Sequence, residues 1–242
     1  MERTIRSENS MVTGVIWKQL LLFFFPIMLG SLFQQLYNTV DAIVVGKFVG
    51  TDALAAASNI LNLLIGFFTG VSSGATVIIS QYFGANDRDG VNRALHTAML
   101  FALVGGAFIM VLGLVGTEFM LRLMDTPEDT IAGSALYLRI MFMGMVPNMV
   151  YNVGSAILRA MGDSKRPLYF LIVACLSNVV LDLVFVLVFK MGIAGVAIAS
   201  ILAQAISAVM VVMSLSAESM EYRFRFRQMR FEGDILSRTI RI

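Results

Sequence analysis

Charge is scarce in this sequence. Asp, Glu, Lys and Arg make up 14% of its 242 residues, where a soluble domain carries about 25%. So few charges cannot cover the surface of a water-soluble globule. Cysteine is scarcer still: Cys175 stands alone, which excludes a disulfide-stapled secreted domain. His96 is the single histidine, and one cysteine with one histidine cannot assemble a zinc site of the Cys/His type. Apolar residues are abundant instead, at 58% with a mean hydropathy of +0.81. That excludes a disordered chain and points to an integral membrane protein.

Six stretches are long and apolar enough to cross about 30 Å of hydrocarbon. They are 18–46, 53–82, 92–116, 130–158, 167–189 and 193–215. Each run is continuous and does not alternate with period two, so helices are expected and a β-barrel is not. The first run is too long for a cleaved signal. The expected organisation is a cytoplasmic amino-terminal segment 1–17, a six-helix transmembrane lobe 18–215, and a cytoplasmic segment 216–242. Fourteen lysines and arginines fall at the termini and in the even-numbered gaps. Only Lys47, Arg122 and Lys190 fall on the other side. The positive-inside rule then sets both termini in the cytoplasm. Arg139 lies within the fourth span and is expected to snorkel to Glu128, or else to pair with Asp182.

Lipid gives helices no hydrophobic reason to associate, so small residues that permit close approach matter. Gly66, Gly70 and Gly74 recur every four residues in the second span, and Gly195, Ala199 and Ala203 in the sixth. Both stripes read as packing seams. Pro26 and Pro147 each remove a backbone donor inside a span. Pro147 reads as a static bend, Pro26 as either a bend or a hinge. The run Tyr222-Arg223-Phe224-Arg225-Phe226-Arg227 alternates aromatic and basic residues. Beside a membrane face it reads as an interfacial segment, not a nucleic-acid site.

Of sixteen carboxylates, Asp41 and Asp182 alone fall inside apolar spans. A charge at the bilayer centre costs about 2.5–3.5 kcal/mol, so such residues face protein or water and are functional candidates. Asp41 precedes the outer end of its helix by about 8 Å and Asp182 by about 11 Å, at 1.5 Å per residue. Two carboxylates at similar depth can share a proton or a cation. Asn178 is one turn from Asp182. Gln34, Asn38 and Asp41 form a polar stripe on the first helix, with Ser31 and Gln35 nearby. Carboxylate and amide oxygens suit Na⁺, and the same carboxylates suit proton carriage. Tyr137 reads first as an anchor at the membrane rim.

At these residues the sequence resembles the multidrug and toxic compound extrusion (MATE) family. Leu22-Phe23-Phe24-Phe25-Pro26-Ile27-Met28 followed by Gln34-Gln35-Leu36-Tyr37-Asn38-Thr39-Val40-Asp41 is similar to the family's first helix. Ser80-Gln81-Tyr82-Phe83-Gly84-Ala85, Leu158-Arg159-Ala160-Met161-Gly162-Asp163 and Asn178-x-x-x-Asp182 follow in the family's order. The resemblance implies an all-α integral membrane protein, six helices forming one lobe of a twelve-helix exporter. It implies export of drugs or amphiphilic organic cations in exchange for Na⁺ or H⁺, with no other cofactor. Asp41, Asn178, Asp182 and Ser200 are its implied cation site. Gln34, Tyr37, Asn38, Tyr137 and Asn152 are implied site-lining residues, and Pro26 an implied hinge. The family has two six-helix lobes. Asp234-Ile235-Leu236-Ser237-Arg238-Thr239-Ile240 resembles the lead-in to a second one, so a missing carboxy-terminal lobe or a second copy is the expected partner.

A flippase-like exporter of lipid-linked or polysaccharide substrates is the nearest alternative. It would be favoured by several cations in the cleft. An intramembrane aspartyl protease would need Tyr-Asp and Gly-x-Gly-Asp, whereas Asp41 follows Thr39-Val40 and Asp182 follows Val180-Leu181. A non-transporting scaffold would tolerate loss of both aspartates.

Overall fold

The computed structural model describes residues 16–49, 66, 70, 72–123, 126–217, 222–225, 227 and 229–241; within α1 the side chains of residues 37, 38 and 40–49 lie outside the described residues. The described chain is helical throughout its spans. Helix α1 is Ile16–Val49, α2 is described over 72–84, and α3 is Arg88–Leu123. Then follow α4 (Glu128–Met143), α5 (Met145–Ala160), α6 (Lys165–Leu183), α7 (Gly192–Ser216) and α8 (Gly233–Arg241). At 1.5 Å per residue the 36-residue α3 is about 54 Å long, so both its ends leave the hydrocarbon.

The fourth expected span is two helices, α4 and α5, bent by 46°. Pro147 explains the position of the break. It has no N–H for the Met143 carbonyl four residues earlier. Gly144 closes α4 instead, its N–H bonding to the Met141 carbonyl at 3.0 Å. The bend expected at Pro147 is therefore present, three residues upstream. Asp163 starts α6: its Oδ1 accepts the backbone N–H of Lys165 and of Arg166, each at 3.1 Å. Such a cap satisfies donors that a helix start leaves free. At its other end α6 runs into a π-helical turn, Val184–Val188.

Helix α7 is the central post, packed against α1, α4, α5 and α6. Ala197, Ala199, Ala203 and Val211 on it are fully buried, and Gly195 packs on Phe185 and Met191. The seam expected at Gly195, Ala199 and Ala203 is observed. Of the one expected along Gly66, Gly70 and Gly74, only the Gly74 contact falls on described neighbours. A methyl group at Gly66 or Gly70 would meet nothing within 4 Å among the described residues, whereas Gly74 is covered by the backbone of Thr239 in α8. Outward faces carry large apolar side chains such as Phe108, Val115, Phe119, Leu176 and Val188, which is the surface a lipid solvent favours.

The alternating segment after α7 is packed inward. Tyr222 and Phe224 are buried while Arg223, Arg225 and Arg227 are exposed. Phe224 stacks on His96 with ring centroids 5.4 Å apart, and its N–H bonds to the Leu215 carbonyl. Period-two alternation turns the aromatic side of the segment, Tyr222 and Phe224, onto the protein and leaves its arginines outward. Phe226 lies outside the described residues.

Candidate functional site

Asp182 occupies the last turn of α6, 4% exposed, with Asn178 one turn below it at 0%. Ser200 on α7 is also fully buried, and the Asn178 Nδ2 donates to Ser200 Oγ at 3.4 Å. Two features of the chain bring these groups together. The four-residue spacing stacks Asn178 and Asp182 on one face of α6, and α6 lays that face on the small-residue stripe of α7. The π-helical turn begins two residues after Asp182, a distortion that recurs at functional sites. With its nitrogen engaged on Ser200, Asn178 leaves its Oδ1 buried and without a partner among the described residues. The cluster thus presents amide, carboxylate and hydroxyl oxygens and no nitrogen lone pair. That donor set fits a hard cation or a proton.

A cavity of about 330 Å³ opens toward the other end of α6, between it, α1 and α5. Pro26, Ser31 and Gln34 of α1 line one wall, Tyr151, Asn152, Ser155 and Arg159 of α5 another, and Pro167, Leu168 and Leu171 of α6 the third. The Asn152 Nδ2 donates to both the backbone carbonyl and the Oδ1 of Asn148, at 2.9 Å each. The Tyr151 hydroxyl donates to the Pro167 carbonyl at 3.4 Å, tying α5 to the start of α6. Leu171, in the cavity wall, precedes Asn178 by seven residues, about 10 Å along the helix. Gln34 precedes Asp41 by the same count. The cavity therefore leads along α1 and α6 toward the level of the two intramembrane aspartates.

The structure joins Asn178, Asp182 and Ser200 in one cluster, and Pro26, Gln34 and Asn152 in one cavity. The side chains of Asp41, Tyr37 and Asn38 lie outside the described residues. Two sequence expectations are corrected. Tyr137 is 4% exposed, in the core and not at a rim, because α4 packs on α7 where the rim was expected. Arg139 pairs with neither Glu128 nor Asp182: its Nη2 donates to Glu118 Oε1 at 2.6 Å, across from α4 to α3, and both side chains are about half exposed. A pair so open to solvent contributes little. Arg139→Gln is expected to cost at most about 1 kcal/mol, to be read as a small shift in the thermal unfolding midpoint.

The cavity also holds a cation that sequence reasoning missed. Arg159 was counted among the loop charges, yet it lines the cavity. Asn148, Asn152, Ser155 and Arg159 follow at intervals of four, three and four, one face of a helix. That stripe was the available signal.

Comparison with known proteins agrees with this geometry. The family model described as MatE matches residues 26–184. "Probable multidrug resistance protein YpnP" of Bacillus subtilis is 37% identical over 197 residues, covering 80% of this chain and 44% of that protein. "Probable multidrug resistance protein YoeA" of the same organism is 36% identical over 194 residues, covering 77% and 42%. The chain thus spans a little under half the length of these relatives. A solved MOP superfamily transporter from Pyrococcus furiosus superposes with a TM-score of 0.89 at 23% identity, over 99% of this chain and 54% of that one. The shared fold covers 99% of this chain, and the span 26–184 matched by the family model contains Pro26, Asp41, Asn178 and Asp182. The chain belongs to the MatE family.

Proposed function

We propose that the chain is the amino-terminal lobe of an exporter that expels drugs or other amphiphilic organic cations in exchange for Na⁺ or H⁺. The observation that carries this reading is the buried cluster of Asn178, Asp182 and Ser200, placed one helical stretch beyond a polar cavity. A coupling site needs oxygen donors that lipid cannot reach and a route by which substrate reaches the same lobe. Asp41 of α1 is the second carboxylate of the proposed coupling site. Cation or proton arrival neutralises the two aspartates, α1 shifts near Pro26, and the cavity that held the substrate closes. Pro26 supports this step because it already lines the cavity and leaves α1 one hydrogen bond short.

The lobe would act in the inner membrane of a bacterium with both termini in the cytoplasm, as the arginine distribution supports. A second lobe, in the same chain or as a second copy, would complete the cleft. The flippase alternative is not favoured. Arg139 is engaged at the surface, which leaves Arg159 as the one cation described in the cavity wall.

The test is dye efflux from proteoliposomes. A Na⁺ gradient and a pH gradient are imposed separately, on the chain alone and on the chain joined to a second lobe. Efflux that follows one of the two gradients is expected with the completed protein. Efflux indifferent to both would refute the coupling.

A further inference from the structure

We infer that the start of α3 and the segment after α7 together form a binding site for an anionic phosphate headgroup, one with net negative charge. A pocket of about 290 Å³ lies there, lined by Asn92, Arg93, His96, Arg227, Arg230 and Glu232. It has room for roughly ten waters at about 30 Å³ each, enough for a phosphodiester and part of its glycerol. Three guanidiniums face a single carboxylate. Glu232 holds Arg93 at 3.5 Å, while Arg227 and Arg230 have no ion-pair partner among the described residues. Guanidinium forks match phosphate oxygens bidentately.

The pocket is built, not a chance gathering of loose side chains. The Arg225 backbone N–H donates to His96 Nε2 at 3.0 Å, and His96 Nδ1 is 2.7 Å from the Asn92 carbonyl. An imidazole that accepts at Nε2 carries its proton on Nδ1, so His96 is neutral and both ring nitrogens are engaged. Its ring is clamped on Phe224. Thr97 Oγ1 donates to the Arg230 carbonyl at 3.2 Å. These contacts fix the backbone on either side of Arg227 against α3 and aim the arginines at Arg93.

Depth selects the ligand. The stretch 94–117 of α3 carries no Asp, Glu, Lys or Arg. Its 24 residues span about 36 Å, slightly more than the hydrocarbon. Arg93 therefore stands where the phosphates of a bilayer lie. Basic pockets at that level hold anionic headgroups.

The experiment uses the full chain in nanodiscs. Thermal unfolding is followed in phosphatidylcholine alone, in phosphatidylcholine with phosphatidylglycerol, and in phosphatidylcholine with inorganic phosphate. Phosphatidylglycerol retained per chain is counted by native mass spectrometry. We expect phosphatidylglycerol to raise the unfolding midpoint and to be retained. R227Q and R230Q should each weaken retention about fivefold, R238Q should not, and E232Q should strengthen it. A midpoint raised by inorganic phosphate and not by phosphatidylglycerol would assign the same site to a soluble phosphate. Equal retention by wild type, R227Q and R230Q would overturn the site. E232Q guards against misfolding of the arginine variants, because weaker retention in that variant would also overturn it.

Discussion

Asp182→Asn is expected to reduce ion-driven efflux to the rate of protein-free vesicles while leaving the protein folded. Asparagine keeps the size and one carbonyl oxygen of the side chain but cannot take up or release a proton, and it binds Na⁺ without offsetting its charge. Asn178 and Ser200 beside it are neutral, and Lys165 and Arg166 at the far end of α6 are about 24 Å away along the helix. Folding should not suffer, because a charged aspartate near the bilayer centre costs about 2.5–3.5 kcal/mol that asparagine largely avoids. The unfolding midpoint of the variant should equal or exceed that of wild type. Two readouts check this: gradient-driven dye efflux and thermal unfolding, on the same preparation. Efflux that still responds to the gradient would remove Asp182 from the mechanism.

Gly154→Leu should have the opposite profile, a structural failure. Val211 of α7 occupies the space where any side chain at Gly154 would begin, and Leu215 is 3.5 Å from it. Both neighbours are fully buried, so neither can swing outward. Overpacking a filled core costs about 1–3 kcal/mol. In lipid the separated helices also lack a hydrophobic force to drive them back together. The variant should lose its sharp unfolding transition or its monodisperse elution. Gly84→Leu is the control, since that glycine is exposed and a methyl group there meets nothing within 4 Å among the described residues; its effect should stay within about 0.5 kcal/mol. A wild-type midpoint for Gly154→Leu would mean that α5 and α7 do not pack as described.

What could be read in the sequence follows from which signals survive a membrane. A carboxylate in an apolar run has few explanations, so Asp182 stood out, and Asn178 came with it by helical spacing. Ser200 came only with the family resemblance, because a serine in an alanine-rich helix costs too little to be conspicuous. Arg159 was missed for the converse reason. At the end of a span a cation looks like any loop charge, and whether it faces water or a cavity depends on how α5 leans on α1. Pro147 foretold a bend, but the residue that opens is Gly144, since the missing donor frees a carbonyl a turn earlier. The period-two alternation of the tail already pointed to one buried side, Tyr222 and Phe224, and one outward side bearing the arginines.

The most direct test of the central claim is a difference infrared spectrum of the chain in liposomes, recorded on a pH jump and on addition of Na⁺. The account expects a carboxyl band that changes with one of these two stimuli and disappears in Asp182→Asn. A wild-type spectrum reproduced in full by that variant would show that the buried carboxyl neither takes a proton nor meets a cation, and would contradict the account.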